Sequence, residues 1–191
     1  DAATGDFSGD VDIDGTLETD AITLGGASFI KVEGTNFTDS LLVGHTTTGT
    51  LNAATGNTGV GIDALDALVS TDNNTAVGYR AGSAIASTGN LNTFVGKDAG
   101  LAVVTNENVA IGAEAGATAG GHRNTSVGYK AGNLVAGNNN ICVGKGSGDN
   151  ITSGAGNIII GTIDAGSATG DHQLLVAGYN DSSTVTWIDG D

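Results

Sequence analysis

Three aspartates near the start of the chain are spaced like the first ligands of a calcium-binding loop. Asp10, Asp12 and Asp14 alternate with apolar residues and precede a glycine, as in the Asp-x-Asp-x-Asp-Gly opening of an EF-hand. The twelfth position of such a loop would be Ala21, whose methyl group cannot coordinate a cation. The same alternation is typical of a β-strand with an acidic outer face, and we favour the strand. Calcium is the one cofactor that this pattern leaves open, and we predict no other.

A second group of candidate residues is aromatic and basic and follows a glycine in several copies of an internal repeat. Stacked along one exposed edge, these side chains could grip a glycan or an anionic surface polymer. The simpler interpretation is a solvated face with weak ion pairs between copies, such as Arg80 with Asp63 or Asp98, each worth about 1 kcal/mol or less. The members of this predicted binding stripe are Tyr79, Arg80, Lys97, Tyr129, Lys130 and Lys145.

No residue of the sequence is predicted to be catalytic. Paired carboxylates occur, but a near-uniform repeat offers no cleft that would distinguish a general acid from its base. His45, His122 and His172 are scattered without metal-ligand spacing, so each is expected to be a solvated loop residue. Cys142 stands where other copies carry Ala or Ser, which predicts a packing residue and not a nucleophile. We therefore expect a protein that is not an enzyme.

These residues belong to a tandem repeat that must fold before any of them can act. A glycine after Val or Ile recurs at steps of 17, 18, 16, 16, 16 and 17 residues, and an asparagine stands four residues before each one. A fixed period of this kind indicates a stacked, quasi-one-dimensional architecture. Two diverged copies of the repeat, beginning at Ser40 and Gln173, extend the pattern. The repeated pairs are Asn57 and Gly61, Asn74 and Gly78, Asn92 and Gly96, Asn108 and Gly112, Asn124 and Gly128, Asn140 and Gly144, and Asn157 and Gly161.

Each copy of the repeat predicts one turn of an all-β solenoid or β-roll, with rungs of about 16 residues. Two residues that are mostly β-branched, such as Thr75 and Val77, flank a residue that is usually small. We expect the branched pair to pack inward and the small residue to allow neighbouring chains to approach. The asparagines should stack in amide ladders, and the glycine should turn the corner. The predicted domains are an acidic, β-rich lead-in of short strands (1–39), the tandem repeats (40–177) and a C-terminal strand segment (178–191).

Composition and charge exclude several functional classes. The chain has 33 glycines and a net charge of −15, with seven acidic and no basic residues in positions 1–30. The sequence has no basic patch, so nucleic-acid binding is not expected. It also has no long apolar run, so we expect no membrane insertion. A rung this short should leave one apolar side exposed, which a homotrimer would cover. Because the chain begins at Asp1, we expect a processed piece of a longer protein.

The phrase Asn-Thr-Ala-Val-Gly-Tyr-Arg-Ala-Gly at 74–82 resembles the repeats of phage tail fibres, especially those of marine and cyanobacterial phages. The stretches 5–17 and 39–52 are similar in style to the same proteins, and the resemblance covers roughly residues 5–190. Many such fibres are trimers that carry a self-cleaving intramolecular chaperone domain. The resemblance implies an extracellular location in the virion tail. Its implied partners are other tail proteins and a host cell-surface glycan or protein. A weaker likeness runs to the heads of trimeric autotransporter adhesins, whose repeat is shorter.

The sequence thus predicts a structural and adhesive segment of a phage tail fibre that supports or presents host-cell recognition. Three alternatives stay open at this point. They are the head of a bacterial surface adhesin, a tailspike that cleaves host polysaccharide, and a calcium-stabilised matrix or filament protein.

Overall fold

The computed structural model describes residues 22–24, 27–34, 37–44, 51–118, 120–179 and 184–190. Within these ranges the chain is all-β and forms a β-solenoid of about eight turns, which confirms the predicted fold class. All the described strands join one sheet. The strands are β1 (Ile22–Leu24), β2 (Ala27–Gly34), β3 (Phe37–Val43), β4 (Ala54–Thr55), β5 (Thr58–Val60), β6 (Thr75–Val77), β7 (Thr93–Val95), β8 (Val109–Ile111), β9 (Thr125–Val127), β10 (Ile141–Val143), β11 (Ile158–Ile160), β12 (Leu174–Tyr179) and β13 (Thr184–Gly190).

The solenoid is built from parallel strands that follow one another in chain order. From β5 to β12 each strand pairs with the next, and β3 joins the stack through β5. Equivalent repeat positions lie side by side, as Thr75 does beside Thr93. At one end β1 and β2 add antiparallel strands to β3, and at the other β13 folds back antiparallel to β12. The period in the sequence is therefore the length of one turn of chain.

The middle residue of each three-residue strand faces the interior, which overturns the predicted orientation. Ala76 and Phe94 are fully buried, whereas Val77 on the same strand as Ala76 is 38% exposed. A turn of about 16 residues encloses a narrow interior that favours small side chains in most rungs. The prediction that the branched pair packs inward is wrong, because those residues form the outer face of the sheet. The small residues accordingly do not face a neighbouring chain.

Phe94 has the largest fully buried side chain among the described residues, and small residues surround it. The adjacent strands place Ala76 and Ala110 beside it. A Cβ atom added to Gly82 or Gly100 would lie 2.7 or 2.5 Å from its ring carbons. This strand thus has a large residue where the others have a small one, and the four small residues around the ring make room for its extra volume.

Two further columns of side chains complete the interior. One consists of the alanine that follows each corner, and the other of a branched residue in the return segment of the turn. Together with the strand residues they bury apolar surface between successive turns, which drives the stacking. The first column includes Ala64, Ala81, Ala99, Ala115 and Ala131, and the second includes Leu68, Ile85, Val103, Val135 and Ile151.

The repeat asparagines form the predicted amide ladder inside the stack. The backbone N–H of each donates to the Oδ1 of the asparagine one turn earlier, over 2.8–3.0 Å from Asn74 to Asn157. The side-chain amide is also used, as Asn124 Nδ2 donates to the Gly137 carbonyl at 2.9 Å. These residues are almost fully buried. The ladder therefore satisfies polar groups that water cannot reach.

The two diverged copies of the repeat lie at the two ends of this ladder. Ser40 Oγ accepts the backbone N–H of Asn57 at 2.7 Å and so replaces an asparagine at the first position. Gln173 donates its own N–H to Asn157 Oδ1 at 2.8 Å. Its Oε1, however, turns back to accept from Ser167 N in the same turn. The ladder therefore ends at Gln173, because the oxygen of its longer side chain accepts a hydrogen bond from its own turn.

A second ladder, which the sequence did not predict, runs two residues before the asparagines and in the opposite direction. The backbone N–H of Asp72 donates to Asn90 Oδ1 in the following turn, and Asn90 donates likewise to Asn106 Oδ1. Asn106 N donates to His122 Nδ1 at 3.2 Å, and His122 N donates to Asn138 Oδ1 at 2.7 Å. Asp, Asn and His can all occupy this position because the side chain of each offers a hydrogen-bond acceptor.

The repeat glycines turn the corner after each strand. Their φ angles lie between 116° and 135°, a region that residues with a Cβ rarely occupy. The corners also stack on one another, since a Cβ added to Gly78 would lie 2.5 Å from the Gly96 carbonyl oxygen. Both the turn and the close stacking therefore require glycine.

Candidate functional site

The predicted binding stripe lies on the outer corner of the solenoid. Tyr79 and Tyr129 follow corner glycines and are 46% and 45% exposed. The Arg80 guanidinium carbon lies 5.9 Å from the Tyr79 ring centroid, and Lys130 Nζ lies 5.4 Å from that of Tyr129. Both distances are within cation–π range. The two corners thus present the same aromatic–cationic pair three turns apart.

Acidic residues of the same or a neighbouring turn pair with three of the four cations of the stripe. Arg80 Nη1 lies 3.6 Å from Asp98 Oδ1, the pair anticipated from the sequence, and Lys130 Nζ lies 3.4 Å from Glu114 Oε2. A hydrogen bond from Lys97 to Asp98 raises the pKa of Lys97. Exposed pairs of this kind contribute little to stability, because water and salt screen them. They order the stripe more than they stabilise the fold.

The stripe divides into two clusters separated by the turn that carries Glu114. The first contains Tyr79, Arg80 and Lys97. The second contains Tyr129, Lys130 and Lys145 and adjoins a cavity of about 400 Å³. The remaining residues of the cavity wall are Gly146, Asp149, Thr162, Ile163 and Asp164.

Asp149 and Asp164 are the site residues that sequence reasoning missed. Burial raises the pKa of Asp164, and a hydrogen bond to Asp149 together with its negative charge raises it further. The two residues lie at different offsets from their corner glycines, so the repeat pattern alone could not pair them.

The remaining candidate ligands do not assemble into a metal site in the part of the chain that is described. Asp10, Asp12, Asp14 and His45 lie outside it. In the described ranges, no three His, Cys, Asp or Glu side chains are close enough to share a metal ion. His122 is a member of the second ladder, through its Nδ1 atom.

Cys142 occupies the inward position of β10 and is 1% exposed. Burial raises the pKa of its thiol to about 12. It packs against Gly148, whose position would bring an added Cβ within 2.7 Å of the sulfur. The position is therefore one of packing, as the sequence predicted.

We expect the Cys142 thiol to be unreactive in the folded protein, since only the thiolate is nucleophilic. Iodoacetamide at pH 8 should label less than about a tenth of the native chain and nearly all of it in guanidinium chloride. Mass spectrometry of the two samples measures the difference. Rapid labelling of the native protein would show that this turn opens readily.

No helix in the described ranges has the length and apolar character needed to cross a membrane. No protein-family model, curated protein or solved structure matches the chain.

Proposed function

We propose that the chain is a structural and adhesive segment of a phage tail fibre, which supports or presents host-cell recognition in an extracellular virion. The observation that carries the proposal is the repetition of two outer surfaces along one stack of turns. One surface is the predicted binding stripe on the outer corner, here called the corner stripe, and the other is the outer face of the parallel sheet. The resemblance of the repeat phrase to tail-fibre repeats supplies the biological setting.

The outer face of the sheet carries an uninterrupted column of apolar side chains, here called the apolar stripe. Val77 and Ile111 are 38% and 40% exposed, although both are branched and hydrophobic. Seven strand spacings of about 4.8 Å make the stripe about 34 Å long. Monomers rarely leave a continuous apolar patch of that length open to water. The column consists of Val60, Val77, Val95, Ile111, Val127, Val143, Ile160 and Val176.

We propose that further copies of this chain cover the apolar stripe and form a homotrimer. The column contains no charged residue, in a chain whose net charge is −15. Like net charges oppose the association of identical chains, so an uncharged face is where copies can approach at the lowest electrostatic cost. The neighbouring outer column changes from Thr58, Thr75 and Thr93 to Ile141, Ile158 and Leu174, which widens the apolar face along the stack.

Sedimentation equilibrium should give about three times the chain mass of 18.6 kDa. The Ile111→Lys variant should sediment as a monomer, because it places a desolvated charge in the interface. Asn133→Lys, on the return segment of the next turn, is the matched control and should keep the oligomer. A wild-type monomer at micromolar concentration would contradict the trimer.

The adhesive role predicts that the trimer attaches to host cells through the corner stripe. Three copies of a stripe with weak single contacts would bind through avidity. Replacing Tyr79 and Tyr129 together by alanine should reduce attachment at least about tenfold in a pull-down with host cells, since each weak contact is multiplied. Attachment equal to that of the unmodified trimer would exclude the stripe as the binding surface.

The purified protein also tests the alternative that the chain is a tailspike that cleaves host polysaccharide. The carboxyls of Asp149 and Asp164 interact with each other, whereas the two carboxylates of a glycosidase stand about 5 Å or more apart with the sugar between them. We therefore expect no new reducing ends after incubation with host capsule. Their appearance would favour a tailspike.

A further inference from the structure

One turn of the solenoid lacks a side chain where every neighbouring corner has one. At five successive corners the second residue after the corner glycine adopts a left-handed backbone, with φ between 55° and 57°. At the next turn this residue is Gly146, with φ 62°. The residues that precede it in the column are Asp63, Arg80, Asp98, Glu114 and Lys130.

The backbone does not require glycine at position 146. Five larger residues adopt the same conformation at the equivalent corners. A Cβ added to Gly146 would meet only Asp149 Oδ2, at 3.7 Å, so the space beside it is open. The absent side chain leaves the corner column hollow at this turn.

The hollow is the cavity of about 400 Å³ next to Tyr129, here called the Gly146 pocket. Its volume lies within the range of small-molecule sites, about 300–1,000 Å³. At the first tyrosine corner the equivalent space is filled, because Asp98 follows Arg80 in the column and pairs with it. The two tyrosine corners are otherwise alike, so the pocket distinguishes the second.

The walls combine an aromatic face with donors and acceptors of both charges. Tyr129 offers a half-exposed ring, and Lys130 and Lys145 offer ammonium groups. Asp149 and Asp164 offer carboxyl oxygens, which accept hydrogen bonds. A pyranose matches this set, since its C–H face stacks on an aromatic ring and its hydroxyls both donate and accept.

Charge argues against the two other simple ligands. A divalent cation would meet two lysine ammonium groups in the same walls, and only two carboxyls to hold it. A phosphate or sulfate would meet the carboxyls of Asp149 and Asp164. Formal charges in the pocket walls cancel, which suits an uncharged ligand.

We propose that the Gly146 pocket binds a pyranose unit of a neutral polysaccharide. The proposal rests on the adhesive function above and assigns the receptor contact to one turn of the corner stripe. Tyr129 provides the stacking platform, and the lysines and aspartates hold the sugar hydroxyls.

Titration with the methyl glycosides of glucose, galactose, mannose and rhamnose tests the pocket directly. At least one should shift the amide NMR signals of Tyr129, Gly146 and Thr162 together. Failure of all four to shift these signals would overturn the proposal. A shift produced by calcium chloride or sodium sulfate, and by none of the glycosides, would overturn it as well.

Gly146→Lys is the variant that fills the pocket without disturbing the fold, because Lys130 already adopts this conformation one turn earlier. Its ammonium group can reach Asp149 and Asp164. Glycoside affinity should fall at least about tenfold, the loss of one good contact, while the chain stays folded and its melting temperature falls only slightly, through the strain of a lysine in the left-handed region. Gly120→Lys is the control at an exposed glycine, where an added Cβ has only ordinary contacts, and should bind as the wild type does. Unchanged affinity in Gly146→Lys would overturn the proposal.

The glycoside titration needs neither the trimer nor a host cell, so the two proposals can fail separately. If glycosides bind the pocket and the trimer does not attach to cells, the adhesive function fails. If the trimer attaches through its tyrosines and Gly146→Lys still binds glycosides and cells normally, the pocket assignment fails.

Discussion

Replacing Gly112 by alanine is expected to lower the free energy of unfolding by about 4 kcal/mol. Gly112 has a φ of 128°, and an added Cβ would lie 2.5 Å from the Gly128 carbonyl oxygen. Backbone strain of this kind costs about 1–3 kcal/mol, and overpacking against a rigid backbone costs a similar amount. The clash involves main-chain atoms of the next turn, so no side-chain rotation can relieve it. Urea unfolding followed by circular dichroism measures the change.

Gly120→Ala is the matched control for the corner substitution. Its added Cβ would approach only Ala136, at 3.7 Å from Cβ and 3.9 Å from Cα, which are ordinary contacts. Removing a glycine from the unfolded chain should make this variant equal to the wild type or more stable by up to about 1 kcal/mol. Equal losses in both variants would mean that the stacked corners are not the reason for glycine.

Replacing Asn124 by alanine is expected to cost about 3 kcal/mol. Asn124 Oδ1 accepts the backbone N–H of Asn140 at 2.8 Å, and its Nδ2 donates to the Gly137 carbonyl at 2.9 Å. The substitution leaves both partners inside the stack without that bond, and each buried unsatisfied group costs about 1–3 kcal/mol. Hydrogen exchange of the Asn140 amide should accelerate along with the loss of stability.

Asn133→Ala is the control for the ladder because Asn133 lies in the return segment of the same repeat. Its Oδ1 accepts only an exposed bond from Thr118. The change should be within about 0.5 kcal/mol, as for most surface substitutions. If Asn124→Ala were equally mild, water would have to enter the stack and replace the lost partners.

The period of the sequence was sufficient to predict the stack, because equivalent residues one turn apart must meet in any solenoid. It also predicted the amide ladder and the glycine corners, since a buried asparagine and a glycine at fixed spacing each have few structural uses. The orientation of the strands was wrong. Branched residues usually pack inward, but here Val77 faces out and Ala76 faces in. The compensating small residues around Phe94 were the signal that the middle position is the interior one.

The Gly146 pocket could not be predicted from the repeat, because it depends on what one turn lacks. Gly146 looks like one more glycine in a chain that has 33. The gap that it leaves is evident only from the structure, in which Glu114 and Lys130 occupy the same position in the preceding turns. Asp149 and Asp164 stand at different distances from their corner glycines in the sequence, and only the three-dimensional structure brings them into one cavity wall.

The asparagine ladder gives the stack a polarity that matters during synthesis, because each turn donates its N–H to the turn before it. A completed turn such as that of Asn124 presents a carboxamide oxygen to the chain that follows, and receives the Asn140 N–H as its first partner. Each turn thus forms the template for the next in the order in which the ribosome releases them, without waiting for a distant segment. Gln173 stops this growth by directing its own oxygen to Ser167. The nascent stack is therefore expected to lengthen from its N-terminal end and to have a defined last turn.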